Sequence, residues 1–349
     1  MSLESQWKKE YESLKNYILS NPEISIGMYE ISIPEEFRDK FYLLFDNVRR
    51  AFVESWISSF NLDFYTLGKT FIEAENKLAE SLNLKHMDLP VDLASFLHDP
   101  EKGMMRLIYD RLFELVQEKI AEDDFEKMAE DDLNSKATEF FMLGYEQWAA
   151  VSILLLLEPD EILGVSLDDD YNPCLSELDQ ITFGKQFHHP AKRIPEFIFH
   201  SKKLNSYIAF KMPLATSVDF YSLPPELPTK RMLRDRTGDT SLVLGPRILF
   251  LAVVQDLKKL PIFADMHERT INGPDLTIEF LMGYDLSDPG AVRKVQEHVE
   301  IVNPRVGGNI VLMDYKSDSV PDKTETDIDI FSVGLDQSRL QPIIDRLVQ

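Results

Sequence analysis

In the stretch PEEFRDKFYLLFDNVRRAFVESWI (residues 34–57), apolar side chains recur at steps of three and four: Phe37, Phe41, Leu44, Phe45, Val48, Phe52 and Trp56. With 3.6 residues per turn, that spacing lays them along one stripe of an α-helix. Pro34 followed by Glu35 and Glu36 suits a first turn, where a missing N–H costs nothing and carboxylates complement the helix dipole. Similar periodicity returns over residues 70–82, 104–120 and 137–157. The first half of the chain therefore predicts several helices joined by short linkers and ending near EPDEILG (158–164).

Beyond LDDDYNP (167–173) the pattern changes to short β-type runs bounded by Pro, Asn or Gly: residues 196–201, 206–212, 217–223, 276–282, 309–315 and 328–335. The first three are separated by only four residues each, which fits an antiparallel meander. Helices are predicted between or after the later runs, over 246–259, 289–302 and 337–347. The expected fold is α+β, with an all-helical domain over residues 1–165 and a mixed α/β domain with a largely antiparallel sheet over 166–349. A chain of 349 residues is long enough for two such domains.

Charge is unevenly spread. The net charge is −23, and residues 1–170 hold 36 Asp and Glu against 16 Lys and Arg, leaving −3 for the remainder. Phosphate backbones are bound by Lys and Arg, so this balance disfavours nucleic acid. Residues 185–247 run the other way, with 11 Lys and Arg against 5 acids. Within them, Lys230, Arg231, Arg234, Arg236 and Arg247 are the candidates for holding a small anion or docking an acidic partner, since guanidinium groups favour carboxylate and phosphate. The helical half is rich in aromatics, as in DFYTLGKTF (63–71) and EFFMLGYEQW (139–148). Most should fill the core, and a surplus patch would mark an interface with a protein partner or a second copy.

Other chemistry is thinly signalled. Cys174 is the single cysteine, so no internal disulfide or cysteine-based zinc site is expected. The charged start MSLESQWKKEYESL lacks the apolar stretch of a signal peptide, and the longest apolar runs fall far short of the ~20 residues needed to span a bilayer. A cytoplasmic, non-membrane protein is the expectation. The acidic run 121–132 lacks the glycine and ligand order of a calcium loop and reads as a solvated helix face or linker. His188, His189, His200 and His267 have no metal-binding helix spacing. No phosphate-binding or dinucleotide-binding glycine loop is present, so no cofactor is expected.

One constellation points to an enzyme. Pro274-Asp275 opens a predicted strand, and Asp314-x-Lys316 closes the next. These residues resemble the PD-(D/E)xK nuclease pattern. The resemblance implies Asp275 and Asp314 as ligands of a divalent metal, Lys316 as the group positioning the attacking water, and Glu196 as an extra acid. It covers only these positions, and Asp275 and Asp314 stand 39 residues apart with a predicted helix between them. The favoured expectation is accordingly a binding or regulatory protein that meets a protein or small anionic partner through the basic segment, without a resident metal. A metal-dependent phosphodiesterase is the alternative.

Overall fold

The computed structural model describes residues 5–60, 62–170, 172–182, 192–193, 195, 197–211, 248–261, 264–265, 274–314 and 328–348. The architecture is α+β, a helical N-terminal region followed by a region built on a large, mostly antiparallel sheet. The chain forms two compact units, one of residues 1–69 and 91–142, the other of residues 70–90 and 143–349. Secondary structure thus changes character near residue 159, whereas compactness divides the chain at other points.

In the N-terminal region α1 (Gln6–Leu19) is followed by a short hairpin of β1 (Ser25–Ile26) and β2 (Ile31–Ser32). Then come α2 (Glu35–Ser59), α3 (Phe64–Leu82), β3 (His86–Asp88), α4 (Val91–His98), α5 (Pro100–Leu107), α6 (Tyr109–Val116) and the long α7 (Glu122–Leu156). The hairpin and β3 are additions to the all-helical expectation. In α2 the predicted stripe faces inward, with Phe41, Phe45, Val48, Phe52 and Trp56 buried. Trp7 of α1, Phe52 of α2 and Phe125 of α7 form a triangle of rings with centroids 5.2 to 5.8 Å apart, so apolar area from three helices is removed from water at one point.

The helix predicted over 104–120 is two helices, because Ile108 (φ −100°, ψ 10°) leaves the helical region between α5 and α6. Arg49 of α2 reaches across this break. Its guanidinium donates to the Met105 carbonyl at 3.0 Å, pairs with Asp46 and lies 5.3 and 4.9 Å from the ring centres of Phe45 and Tyr109. That cation stacking lets a buried charge join two helices.

In the second unit eight strands form one sheet. They are β4 (Pro159–Leu167), β5 (Pro173–Glu177), β8 (Phe197–Ser201), β9 (Ser206–Lys211), β10 (Ile248–Val254), β12 (Leu276–Leu281), β13 (Gly308–Leu312) and β14 (Asp329–Ser332). Their order is β14-β13-β12-β10-β9-β8-β4-β5. All pairings are antiparallel except β12 with β13 and β13 with β14. Two minor pairs lie outside it: β3 runs parallel to β6 (Gln180–Thr182), and β7 (Lys192–Arg193) pairs with β11 (Ala264–Asp265). Of the predicted meander, the 196–201 and 206–212 runs pair as β8 and β9, while 217–223 lies outside the described residues.

The helix predicted over 246–259 is a correction: ILFLAVV is strand β10. A continuous apolar run of seven residues fits a central strand covered on both faces as well as a buried helix, and pairing with β9 and β12 decides for the strand. The parallel β12–β13 pair needs a crossover, which α8 (Pro289–Val302) provides. Its ends follow from the sequence: Asp288 caps the Gly290 N–H at 2.8 Å, Pro289 fills the first turn, and Asn303 closes the helix at φ 50°.

One sheet face carries Leu281, Ile310, Leu312 and Ile330 against Val295 and Val299 of α8. The opposite face meets α7, where Tyr145 packs on Phe280 with ring centres 6.1 Å apart and donates to the Gly334 carbonyl at 2.5 Å. Burial, with Asp314 adding a smaller push, holds the Tyr145 phenol well above its usual pKa. The C-terminus, predicted as one helix, is a 3₁₀ turn, α9 (Gln341–Asp345) and a second 3₁₀ turn, with Leu340, Ile343, Ile344 and Leu347 buried. Among the described residues no helix is long and apolar enough to cross a membrane.

Candidate functional site

Asp275 and Asp314 do not meet. The β12–β13 register runs from Thr277 opposite Gly308 to Leu281 opposite Leu312. Asp275 stands two residues before this paired stretch and Asp314 two residues after it, so they occupy opposite ends of a parallel pair. At about 3.3 Å per residue their backbones are separated by roughly 26 Å. One cation with ligands at about 2.3 Å cannot span that distance. Lys316 and Glu196 lie outside the described residues. Among the described residues no group of three or more His, Cys, Asp or Glu is placed to hold a metal ion.

Each aspartate has a structural partner instead. The Asp275 carboxylate accepts the Val253 N–H at 2.6 Å and pairs with Arg305, while its backbone N–H donates to Leu251 and its carbonyl accepts from Val306, both at 2.8 Å. It ties the edge of β10 and the turn before β13 to the start of β12. Asp314 accepts the Gly283 N–H just past the end of β12. Replacing Asp275 with alanine is expected to cost about 1–2 kcal/mol, because a backbone donor loses its acceptor. Millimolar Mg²⁺ or Mn²⁺ should leave the melting temperature of the parent unchanged. A metal-dependent rise lost in the variant would refute this bracing role.

His200 sits beside Asp160, with Nδ1 to Oδ1 at 2.6 Å, and its ring centre is 5.0 Å from that of Tyr207. The Tyr207 hydroxyl donates to Glu161 at 2.6 Å rather than to the imidazole, and that bond raises the Tyr207 pKa. Cys174 is exposed. His188, His189 and His267 lie outside the described residues, as do Lys230, Arg231, Arg234, Arg236 and Arg247.

The acidic run 121–132 forms the opening of α7 from Glu122 onward. Phe125 and Ala129 point inward, while Glu122, Glu126 and Asp132 face Lys15, Lys8 and Arg111 at 2.9 to 3.5 Å. Exposed pairs like these contribute little individually, but they satisfy the acids as a solvated helix face.

A concavity on the described surface belongs to the helical unit. A groove of about 530 Å³ is bounded by Ile31 and Ile33 of the hairpin segment, Arg38 and Tyr42 of α2, and Asp110, Phe113 and Gln117 along α6. Its floor belongs to an aromatic cluster: Phe113 lies 4.4 Å from Phe45 and 5.0 Å from Tyr109, ring centre to ring centre. The hairpin tip, joined to the groove's Gln117, exposes Met28 (57%) and Tyr29 (93%), and Tyr42 is 39% exposed.

That tip is held in place. The Gln117 side chain donates to the Gly27 carbonyl at 2.8 Å and to the Met28 carbonyl at 3.4 Å, and the Gly27 N–H donates to Glu30 across the turn at 2.8 Å. Arg38 secures the other end through a 3.0 Å bond to the Ile33 carbonyl. Sequence reasoning missed this site, although a signal exists: EISI occurs at 23–26 and again at 30–33 around Gly27-Met28-Tyr29, alternating polar and apolar residues about a turn. Compared with protein families, with curated proteins and with solved structures, the chain matches none.

Proposed function

We propose that this protein works by binding a protein partner and that the groove between the hairpin, α2 and α6 is the contact surface. The observation that carries this reading is the pair Met28 and Tyr29, large apolar side chains displayed to solvent on a turn fixed by Gln117. An apolar tip held in one conformation loses little entropy on docking, and it adjoins an aromatic-floored groove of a volume typical for ligand recognition. The basic segment at Lys230, Arg231, Arg234 and Arg236, with Arg247, supplies on sequence charge alone a second contact suited to a small anion or an acidic surface. The phosphodiesterase reading gains no support from the placement of Asp275 and Asp314.

The test is selection of binders from a displayed random-peptide library on the full-length protein. Peptides recovered this way are expected to bind the double variant Met28→Ser/Tyr29→Ser at least about tenfold more weakly, in line with loss of buried aromatic anchors. Both residues are exposed, so the melting temperature should stay within about 2 °C of the parent. Failure to recover any binder, or equal binding to the variant, would refute the proposal.

A further inference from the structure

Strand β2 has an outer edge, and the groove runs beside it. The Gly27 N–H donates to the Glu30 carbonyl at 2.8 Å, Ile26 stands opposite Ile31, and Ser25 stands opposite Ser32. Bonded and non-bonded pairs alternate along an antiparallel ladder, so 27/30 and 25/32 are bonded pairs and 26/31 is not. The N–H and carbonyl of Ile31 therefore point away from β1, as do those of Ile33. Among the described residues neither group of Ile31 has a hydrogen-bond partner, whereas the Ile33 carbonyl accepts from Arg38 Nε at 3.0 Å. Ile31, Ile33 and Arg38 all line the groove, so that bond marks the outer edge of β2 as one of its walls.

Side chains alternate between the two faces of a strand, and residues opposite one another share a face. Ile26, Ile31 and Ile33 thus lie on one face, with Ile33 buried, while Ser25 and Ser32 are exposed on the other. A strand laid beside β2 would continue the apolar face towards Tyr42 and Phe113. We propose that the groove takes an extended segment of a partner protein, added antiparallel to β2 as a third strand and alternating apolar with polar residues. The inference rests on the groove being the binding surface. One residue of the segment would exchange both backbone bonds with Ile31, and its apolar side chains would meet Tyr42 and Phe113. In such strand addition main-chain bonds give affinity and alternate side chains give specificity. A helix is a poorer occupant, because its backbone groups bond within the helix and leave the Ile31 donor and acceptor buried without partners.

A short fluorescent peptide alternating Thr with Val and Phe tests the inference. Its binding to the full-length protein is read by anisotropy beside two N-methylated forms, one methylated at every apolar residue and the other at every Thr. In antiparallel addition the residue opposite Ile31 shares its face, so the amides turned towards β2 belong to the apolar positions. Methylating those is expected to weaken binding at least about tenfold, and methylating the Thr amides less than about threefold. The same apolar residues placed at helical spacing in an Ala-rich peptide should bind at least about tenfold more weakly than the alternating parent. Ile31→Pro removes only the outward N–H, at a place where an edge strand accepts proline, and should also cost about tenfold or more, with Ile31→Val close to the parent.

Equal loss from the two methylated sets, loss from neither, or loss confined to the Thr set would overturn antiparallel strand addition. If Met28→Ser/Tyr29→Ser still weakens the parent peptide, the groove remains the binding surface. Tighter binding of the helical peptide would overturn the extended partner in the same way. Peptide binding untouched by Met28→Ser/Tyr29→Ser lies elsewhere and would overturn the inference. Binding of none of the peptides would overturn it too, while library binders lost from that double variant would leave the groove standing. A dimer seen by sedimentation and abolished by Ile31→Pro would make the occupant a second copy and overturn the separate partner. Should Ile31→Pro lower the melting temperature by more than about 5 °C, the methylated peptides decide alone.

Discussion

Arg346→Met is expected to lower the unfolding free energy by about 3 kcal/mol, a fall of roughly 6–10 °C in melting temperature for a unit of this size. Arg346 opens the last 3₁₀ turn, yet its guanidinium is built into the sheet. It pairs with Asp329 at the start of β14 at 2.6 Å, donates to the buried Asn309 side chain, and donates to the Val306 carbonyl at 2.5 Å. Asn309 in turn donates to the Thr277 carbonyl at 2.9 Å, so one cation links the C-terminal turn to β12, β13 and β14.

Methionine keeps the stem and its packing but removes every donor. A buried carboxamide oxygen and a carbonyl then lose their partner, and Asp329 loses its counter-charge. Thermal unfolding of Arg346→Met, Asp329→Asn and the double variant checks this. The double should cost less than the two single changes together, because the coupled pair is lost only once. Additive effects would mean that the ion pair is not the brace.

Gly103→Ala should destabilise the helical unit by about 2–3 kcal/mol, the cost of overpacking against atoms that cannot move aside. The sign is the informative part. In an exposed helix interior, glycine to alanine stabilises by up to about 1 kcal/mol, because glycine loses more backbone entropy on folding. At residue 103 of α5 a Cβ would lie 2.7 Å from the Cα of Phe96 and 3.0 Å from its backbone nitrogen. Those atoms belong to α4, whose Phe96 ring is fully buried against Phe64 and Phe140. Denaturant unfolding followed by far-ultraviolet circular dichroism separates the outcomes, with exposed Lys102→Ala as the neighbouring control. A stabilised Gly103→Ala would show that α4 and α5 can part at little cost.

Asp275 and Asp314 show how a locally sound motif reading fails. Pro-Asp at a strand start and Asp at the next strand end were correctly placed on their elements, since β12 and β13 begin and end near the predicted positions. The two strands run parallel, however, and a start and an end on parallel neighbours are necessarily far apart. In an antiparallel pair the same residues would have been neighbours. The groove was illegible for a related reason. Ile31, Tyr42 and Phe113 come from three separate stretches of chain, and the aromatic surplus of the helical half and the repeated EISI hint at the elements without joining them.

What the sequence determined by itself was whatever depends on neighbours within a turn or two. The inward stripe of α2 followed from three- and four-residue spacing, the limits of α8 from Asp288, Pro289 and Asn303, and the α+β class from helical period in the first half and short β-type runs in the second, although the sheet already begins at Pro159. Tertiary structure alone decided that ILFLAVV is a central strand, that α5 and α6 part at Ile108, that Asp275 braces the start of β12, and which side chains line the groove. Periodicity tells which face of an element leaves water, while strand register and helix docking choose the face it meets. Those choices are made by residues tens or hundreds of positions away.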